Sequence, residues 1–339
     1  MAAPELRIDP LTGLRVVLAP ARADRPFSFE SSTVHEGARE QCPLCEGHES
    51  WTPPERYAVR PRGGEPDTPG WTVRAVPNKY PLLEPGERAA PEDPLGSGRG
   101  DPELLVTGTA TGYHEVIVHT PEHRASITEL DAAQFERAVT GWRARSQAHS
   151  DAACVHVMVN EGAAAGASLE HTHAQLYALD FVPALIARER ERFTAHNTRT
   201  MGGCLLCDVV QEEVRRRERV VAVDDDAVLL APFAARSPYE LQLVPRRHEP
   251  SFAESESGAG LLHDGLLKLK DRLGAAPPMN LWVRTAPRGA EHFHWHVDVV
   301  PRLTRLAGFE LGTGLGVNIV PPERVAQELS EYRGSFAAP

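Results

Sequence analysis

Two segments of this chain repeat one pattern, and that repeat limits the possible folds more than any other feature. "EVIVHTPEH" runs from Glu115 to His123, and "ELQLVPRRH" from Glu240 to His248. Each reads Glu, a short β-forming apolar run, Pro, then His, with one offset (123 − 115 = 8; 248 − 240 = 8). A C-x-x-C precedes each copy, Cys42/Cys45 in "CPLC" and Cys204/Cys207 in "CLLC", and an H-x-H follows each. The distance to that H-x-H is nearly constant (171 − 123 = 48; 294 − 248 = 46). Agreement in order, residue type and spacing implies one supersecondary unit present twice. The expected units are residues 1–190 and 191–339.

A chain of 339 residues accommodates two units of roughly 150 residues each. The first copy is the longer, in part because of "EPGERAAPEDPLGSGRGDPE" (Glu84–Glu103), whose Pro, Gly and charge predict a surface loop. β-forming runs include "LRVVLAP", "WTVRAVPN", "HEVIVHT", "CVHVMVN", "HAQLYAL", "VVAVD", "ELQLVP", "NLWVRT" and "WHVDVVP". Helical periodicity covers Asp131–His149, Val182–His196 and Gly260–Leu273. The hairpin-like spacing of the strands predicts an α+β fold of antiparallel sheets with packed helices.

The formal net charge of −11 argues against a nucleic-acid backbone binder. It leaves room for a small anionic ligand held by local arginines. No stretch approaches the roughly 18 apolar residues of a membrane span, and "MAAPELRIDP" has no signal-peptide pattern, so a cytoplasmic protein without a membrane partner is expected. In that setting paired C-x-x-C motifs read as metal-binding or redox groups rather than as a disulfide framework. Cys154 stands alone and reads as a small buried strand residue.

A C-x-x-C supplies two of the four ligands of a tetrahedral zinc, and the repeat supplies histidines for the rest. Cys42, Cys45, His123 and His171 form the first expected set. Cys204, Cys207, His248 and one histidine of "EHFHWH" form the second, with His294 favoured over His292 and His296. Two Zn2+ per chain are expected, in closed structural sites. The redox alternative gives no use to the distant histidines.

In "SLEHTHAQLYAL" the side chains of His171, His173 and Gln175 share one strand face, and Leu176 and Ala178 share the other. A metal-tethered His171 would place His173 beside it. A neutral imidazole attacks phosphorus near pH 7 without a separate base. Gln175 can hydrogen-bond phosphoryl oxygens without competing as a nucleophile. Upstream, "VNEGAAAGASLEH" carries Gly162, Gly166 and Ser168 in a small-residue loop, which reads equally as a phosphate-approach loop or a tight turn.

"GASLEHTHAQLYA" resembles the active-site strand of galactose-1-phosphate uridylyltransferases, in the histidine-triad superfamily. "DPLTGLRVVLAPARADRP", "CPLCEGHESWTPPE", "WTVRAVPNKYPLL", "EVIVHTPEHRASITEL", "APFAARSPYELQLVPRRH", "FHWHVDVVPRL" and "GFELGTGLGVNIVPPE" resemble that family's segments in its order. The resemblance implies a duplicated histidine-triad fold, a homodimer with its site near the interface, and ping-pong transfer. The histidine matching His173 takes the nucleoside monophosphate from a nucleotide sugar, and a sugar 1-phosphate accepts it. By resemblance, Gln175 steadies the nucleotidyl-histidine, Asn160 and Ser168 lie near the phosphates, and Arg22, Arg25 and Asn78 line the nucleotide pocket. The activity so implied is UMP transfer from UDP-glucose to galactose 1-phosphate.

Some members bind a second metal through a glutamate and three histidines. Glu189, His294 and His296 match three of these positions, but Arg284 replaces the remaining histidine. The Cys204/Cys207 pair instead resembles members with two Cys/His zinc sites, which include a plant-type nucleotide-sugar phosphorylase. A phosphorylase using inorganic phosphate as acceptor is therefore the alternative. A non-catalytic zinc scaffold is the third reading.

Overall fold

The computed structural model describes residues 5–18, 39–86 and 110–331. Arg22 and Arg25, and most of the expected Glu84–Glu103 loop, lie outside them. The elements run in the order β1 (Glu5–Ile8), β2 (Arg15–Leu18), β3 (Tyr57–Val59), β4 (Val73–Pro77), β5 (Gly112–Val118), α1 (Ala132–Ala148), β6 (Cys154–Glu161) and β7 (His173–Leu179). They continue with α2 (Ala184–Thr200), α3 (Leu205–Arg216), β8 (Val220–Val223), β9 (Ala227–Leu230), β10 (Leu241–Pro245), α4 (Ala259–Leu273) and β11 (Met279–Arg284). β12 (His296–Pro301), α5 (Gly308–Thr313), β13 (Gly316–Asn318) and α6 (Pro322–Ser330) complete them.

Ten strands form one antiparallel sheet in the order β3-β4-β5-β7-β6-β11-β12-β10-β9-β8. Read from either edge inward, the sheet repeats itself: β3 answers β8, β4 β9, β5 β10, β7 β12 and β6 β11. Each half contains the same split unit, in which a helix (α1 or α4) leads from one strand to another two places away. The fold is thus a duplicated histidine-triad fold of the α+β class. The halves meet in one seam, where Asn160 of β6 pairs with Asn280 of β11. The position 190/191 falls inside α2. A separate small sheet, β1-β2-β13, includes a parallel β2–β13 pair.

Alternation along the strands divides the sheet into two faces. On one, Val73, Ile117, Val159, Leu176, Leu229, Leu243, Leu281 and Val299 pack against α1, α4 and α6 in a single cluster that spans both halves. Glycines stand where each helix crosses its strand. A Cβ on Gly141 of α1 would lie 2.8 Å from Val73 Cγ1, and one on Gly265 of α4 would lie 2.5 Å from Leu229 Cδ2. Asp131 caps α1, its carboxylate accepting from Gln134 N at 2.7 Å. The repeated glutamates are structural. Glu115 accepts from Arg145 of α1 (2.7 and 2.8 Å), and Glu240 accepts from the backbone and guanidinium of Arg236.

On the opposite face, Leu11, Phe193 of α2, Leu206 and Val210 of α3 cover Val228, Leu230 and Val244 in the second half. The middle of that face is mostly polar: His114, Gln175, His173, Asn160, Asn280, Trp282 and Asp298 occupy alternate positions on adjacent strands, with Met158 among them. α3, α5 and α6 are additional to the three helices expected from periodicity, and α2 runs further, to Thr200.

Candidate active site and metal centres

His173 opens β7 and is 7% exposed. Its Nδ1 lies 2.7 Å from the carbonyl oxygen of His171. A carbonyl only accepts, so Nδ1 carries the proton and Nε2 keeps its lone pair in the neutral ring. Burial lowers the imidazole's pKa, against the raising effect of the carbonyl, and favours that neutral form.

The strand around His173 is held from behind. Trp142 Nε1 donates to His119 Nε2 (3.0 Å), and His119 Nδ1 donates to Thr172 Oγ1 (2.9 Å). Thr172 donates in turn to Glu161 Oε1 (2.9 Å). Glu161 also accepts from Ser126 Oγ and the Ile127 amide. Burial pushes its carboxyl up to about 7 in spite of these donors. Both neighbours of the loop that carries the candidate phosphate groups, Glu161 and Thr172, are thus tied into the core.

Met158 pairs with Gln175, so Asn160, two residues on, falls on the same face beside His173. Asn280 Nδ2 donates to the carbonyl of Ala165 and to Asn160 Oδ1, both at 2.8 Å. The Ala165 carbonyl fixes which end of the Asn280 amide is the donor. That orientation turns the Asn160 carbonyl toward Asn280 and leaves its amide NH2 for the open face. Gly162 has φ +76°, and a Cβ there would meet Pro278 at 3.0 Å, so the turn before Ser168 requires glycine. Ser168 itself is exposed at the end of this loop. Asn78, half-buried, donates its backbone N–H to the carbonyl of His114 at 2.8 Å, beside Gln175.

The structure gathers both Cys/His sets. In Cys42, Cys45, His123 and His171, as in Cys204, Cys207, His248 and His294, the candidate ligand atoms all lie within 4.8 Å of one another. The Sγ–Nδ1 distances are 3.3–3.5 Å in the first and 3.4–3.5 Å in the second. A tetrahedral zinc with Zn–S of about 2.3 Å and Zn–N of about 2.0–2.1 Å needs S···N edges of about 3.6 Å. The donor sets therefore fit such an ion with little movement. The histidine pairs superimpose in kind: His123–His171 stand 5.4 Å apart at 83°, His248–His294 5.3 Å apart at 82°. His171 Nε2 donates to the Thr120 carbonyl (2.9 Å), which leaves Nδ1 for a metal. Cys204 stands at the N-cap position of α3 and Cys207 lies in its first turn, where the helix dipole favours thiolates. The first set is enclosed, whereas His248 of the second is exposed.

His294, not His292 or His296, joins the second cluster. His292 is exposed. His296 directs Nδ1 at the His294 carbonyl (3.1 Å), as His173 does at His171, but it is followed at the glutamine position by Asp298. Arg284 lies between Glu189 (3.5 Å) and Asp298 (3.9 Å). Sequence reading passed over His114, Tyr177 and Asn280. Only strand registry brings His114 and Asn280 to the site, whereas Tyr177 continues the alternation of His173 and Gln175 along one strand.

Residues 1–183 match the family model described as galactose-1-phosphate uridyl transferase, N-terminal domain, and residues 127–334 match a domain family of unknown function. An ADP-glucose phosphorylase of Arabidopsis thaliana is 31% identical over 97% of this chain and 93% of its own. A galactose-1-phosphate uridylyltransferase of Cryptococcus neoformans is 28% identical over 96% of this chain and 89% of its own. The crystal structure of an Arabidopsis thaliana ADP-glucose phosphorylase with bound ADP-glucose matches at TM-score 0.78 and 29% identity, over 98% of this chain and 100% of the other. With a family model covering more than half its length and relatives aligned almost end to end, the chain belongs to the galactose-1-phosphate uridylyltransferase family.

Proposed function

We propose that this protein is a nucleotidyltransferase that moves a nucleoside monophosphate from a nucleoside diphosphate hexose to a phosphate-bearing acceptor through His173. The observation that carries the reading is the His173 ring. It is buried, its Nδ1 proton is engaged by the His171 carbonyl, and its Nε2 makes no hydrogen bond among the described residues. In the first half-reaction Nε2 attacks the α-phosphorus, a P–N bond forms, and the P–O bond to the departing hexose 1-phosphate breaks. The ring becomes cationic, and the His171 carbonyl stabilises it through Nδ1–H. In the second, an acceptor phosphate oxygen attacks phosphorus and the P–N electron pair returns to Nε2. No proton need be added or removed. Gln175 and Asn160 supply amide N–H groups to the phosphoryl oxygens, with Ser168 and Asn78 as further polar groups and Arg22 and Arg25 as further cations.

Zinc in the two Cys/His clusters completes the proposal, two ions per chain. With four protein donors each ion leaves no open position, so it supplies rigidity and no step of the transfer. A homodimer belongs to the same reading.

Two readings of base and acceptor follow. Near-end-to-end similarity to a plant ADP-glucose phosphorylase favours ADP-glucose with inorganic phosphate. The family model and the uridylyltransferase relatives favour UDP-glucose with galactose 1-phosphate. The deciding experiment incubates the protein with each nucleotide sugar labelled at the α-phosphorus. Label on His173 is expected from one donor, with discharge by one acceptor. Full labelling of His173→Ala would remove His173 as the nucleophile.

A further inference from the structure

The amide of Gln175 is symmetric in shape and opposite in polarity at its two ends. Turned one way it offers a phosphoryl oxygen two N–H donors, and turned the other it offers a repelling carbonyl. Two neighbours settle the choice. Tyr177 OH donates to Gln175 Oε1 at 2.9 Å, and His114 Nε2 lies 2.9 Å from the same oxygen. The tautomer of His114 is fixed from its far side, where Nδ1 accepts the Leu82 backbone N–H at 3.2 Å. The neutral ring therefore carries its proton on Nε2 and donates it to Gln175. Asn78 Nδ2 lies 3.1 Å from the same nitrogen, but Asn78 Oδ1 is engaged by the Tyr80 amide, so the His114 proton goes to Gln175 alone. His114 is 6% exposed and stacks on the Tyr177 ring at 4.2 Å and 24°, so the two donors brace each other. Gln175 Nε2 is left with no hydrogen bond among the described residues.

We infer that His114 is a positioning residue which, with Tyr177, saturates the Gln175 carbonyl and so holds its NH2 toward the transferred phosphoryl group. The inference rests on the reading that Gln175 faces that group. The hydrogen bonds of His114 run to Gln175, Leu82 and Asn78, and among the described residues none runs to His173. His114 acts on the transition state through Gln175, so its loss should lower the rate of phosphoryl transfer and leave donor binding unchanged.

The test measures single-turnover labelling of the full-length protein by ADP-glucose and by UDP-glucose, with donor concentration varied to separate KM from the limiting rate. His114→Phe keeps the stacked ring and deletes the donor, and its limiting rate should fall about tenfold with KM within about twofold. Tyr177→Phe removes only the hydroxyl and should slow labelling about fivefold. His114→Gln can accept from Leu82 and donate to Gln175, and should restore most of the rate. Wild-type rates in both phenylalanine variants overturn the inference. So does a slow His114→Phe that His114→Gln fails to rescue at equal metal content and melting temperature. If His114→Phe does not fold, Tyr177→Phe and His114→Gln decide: a slowed Tyr177→Phe beside an active His114→Gln upholds the inference, and any other pair of results overturns it. A wild-type protein that takes no label from either donor brings down the nucleotidyl-transfer reading instead, and that outcome is distinct from all of these.

Discussion

Asn280 lies on the seam between the two halves, yet among the described residues its side-chain hydrogen bonds serve the first alone. Its amide N–H groups reach Asn160 Oδ1 and the Ala165 carbonyl at 2.8 Å each. Asn280→Ala deletes both. At about 0.5–1.5 kcal/mol per neutral hydrogen bond, stability should fall by about 1–3 kcal/mol. Asn280→Asp is the more informative change, since a carboxylate offers only acceptors where Asn160 and Ala165 also present acceptors. The Asn160 amide then turns over, gives its NH2 to the new carboxylate and directs its carbonyl at the phosphoryl group. That new charge-assisted bond offsets part of the stability loss. In the transition state, however, a donor has become a repelling acceptor, a change that should slow nucleotidyl transfer about 100- to 1,000-fold. Urea unfolding and single-turnover labelling on the same preparations separate the two effects. Asn280→Asp should therefore be the more stable variant and the slower one. A labelling rate for Asn280→Asp within about threefold of wild type would refute the argument that Asn280 sets the polarity of Asn160.

Other predictions rest on features outside that pair. Chelator should strip the second Cys/His cluster before the first, because His248 is exposed while Cys42, Cys45 and His171 are buried; metal content against time should show two phases, and a single phase would count against the asymmetry. Burial raises the Glu115 carboxyl, but His149 and Arg145 outweigh it and hold the pKa down to about 2. A depressed carboxylate stabilises the fold above its unfolded value near 4.5 and loses that contribution as pH falls toward 2, about 3 kcal/mol in all. Glu115→Gln should flatten the acid limb of the stability curve over that window. Gly141→Ala and Gly265→Ala each gain helix propensity but push a Cβ into Val73 or Leu229, so both should lower stability by about 1–3 kcal/mol in thermal unfolding.

The repeat was legible because it lies in short, contiguous motifs whose residue types are few. Glu115/His123 and Glu240/His248 recur at one offset, and the C-x-x-C and H-x-H pairs then fall into place by order. That reading carried the α+β class, most strands and the grouping of eight Cys and His residues that the structure brings together. It stopped where partners come from registry between strands distant in sequence. His114 meets Gln175 only because Val116 pairs with Gln175 across β5 and β7, and Asn280 meets Asn160 only across the β6–β11 seam. Strands β9 and β13 are short, whereas α6 was open to a local reading, since Pro322 opens it and Val325, Ala326 and Leu329 recur at helical spacing on its buried face. The joining of two expected sheets into one of ten strands likewise comes from registry.

That seam has a historical reading. A single five-strand half would leave β6 or β11 as a bare edge, and the least costly cover for such an edge is a second copy of the same chain. A half-length ancestor would then have been a symmetric pair carrying two equal pockets. Once both copies share a polypeptide, selection need preserve only one pocket. Here His173 is followed by Gln175, while His296 is followed by Asp298 and pairs across the strands with Arg284, which meets Glu189 and Asp298. The ancestral symmetry persists in the backbone while the side chains of the two pockets have diverged.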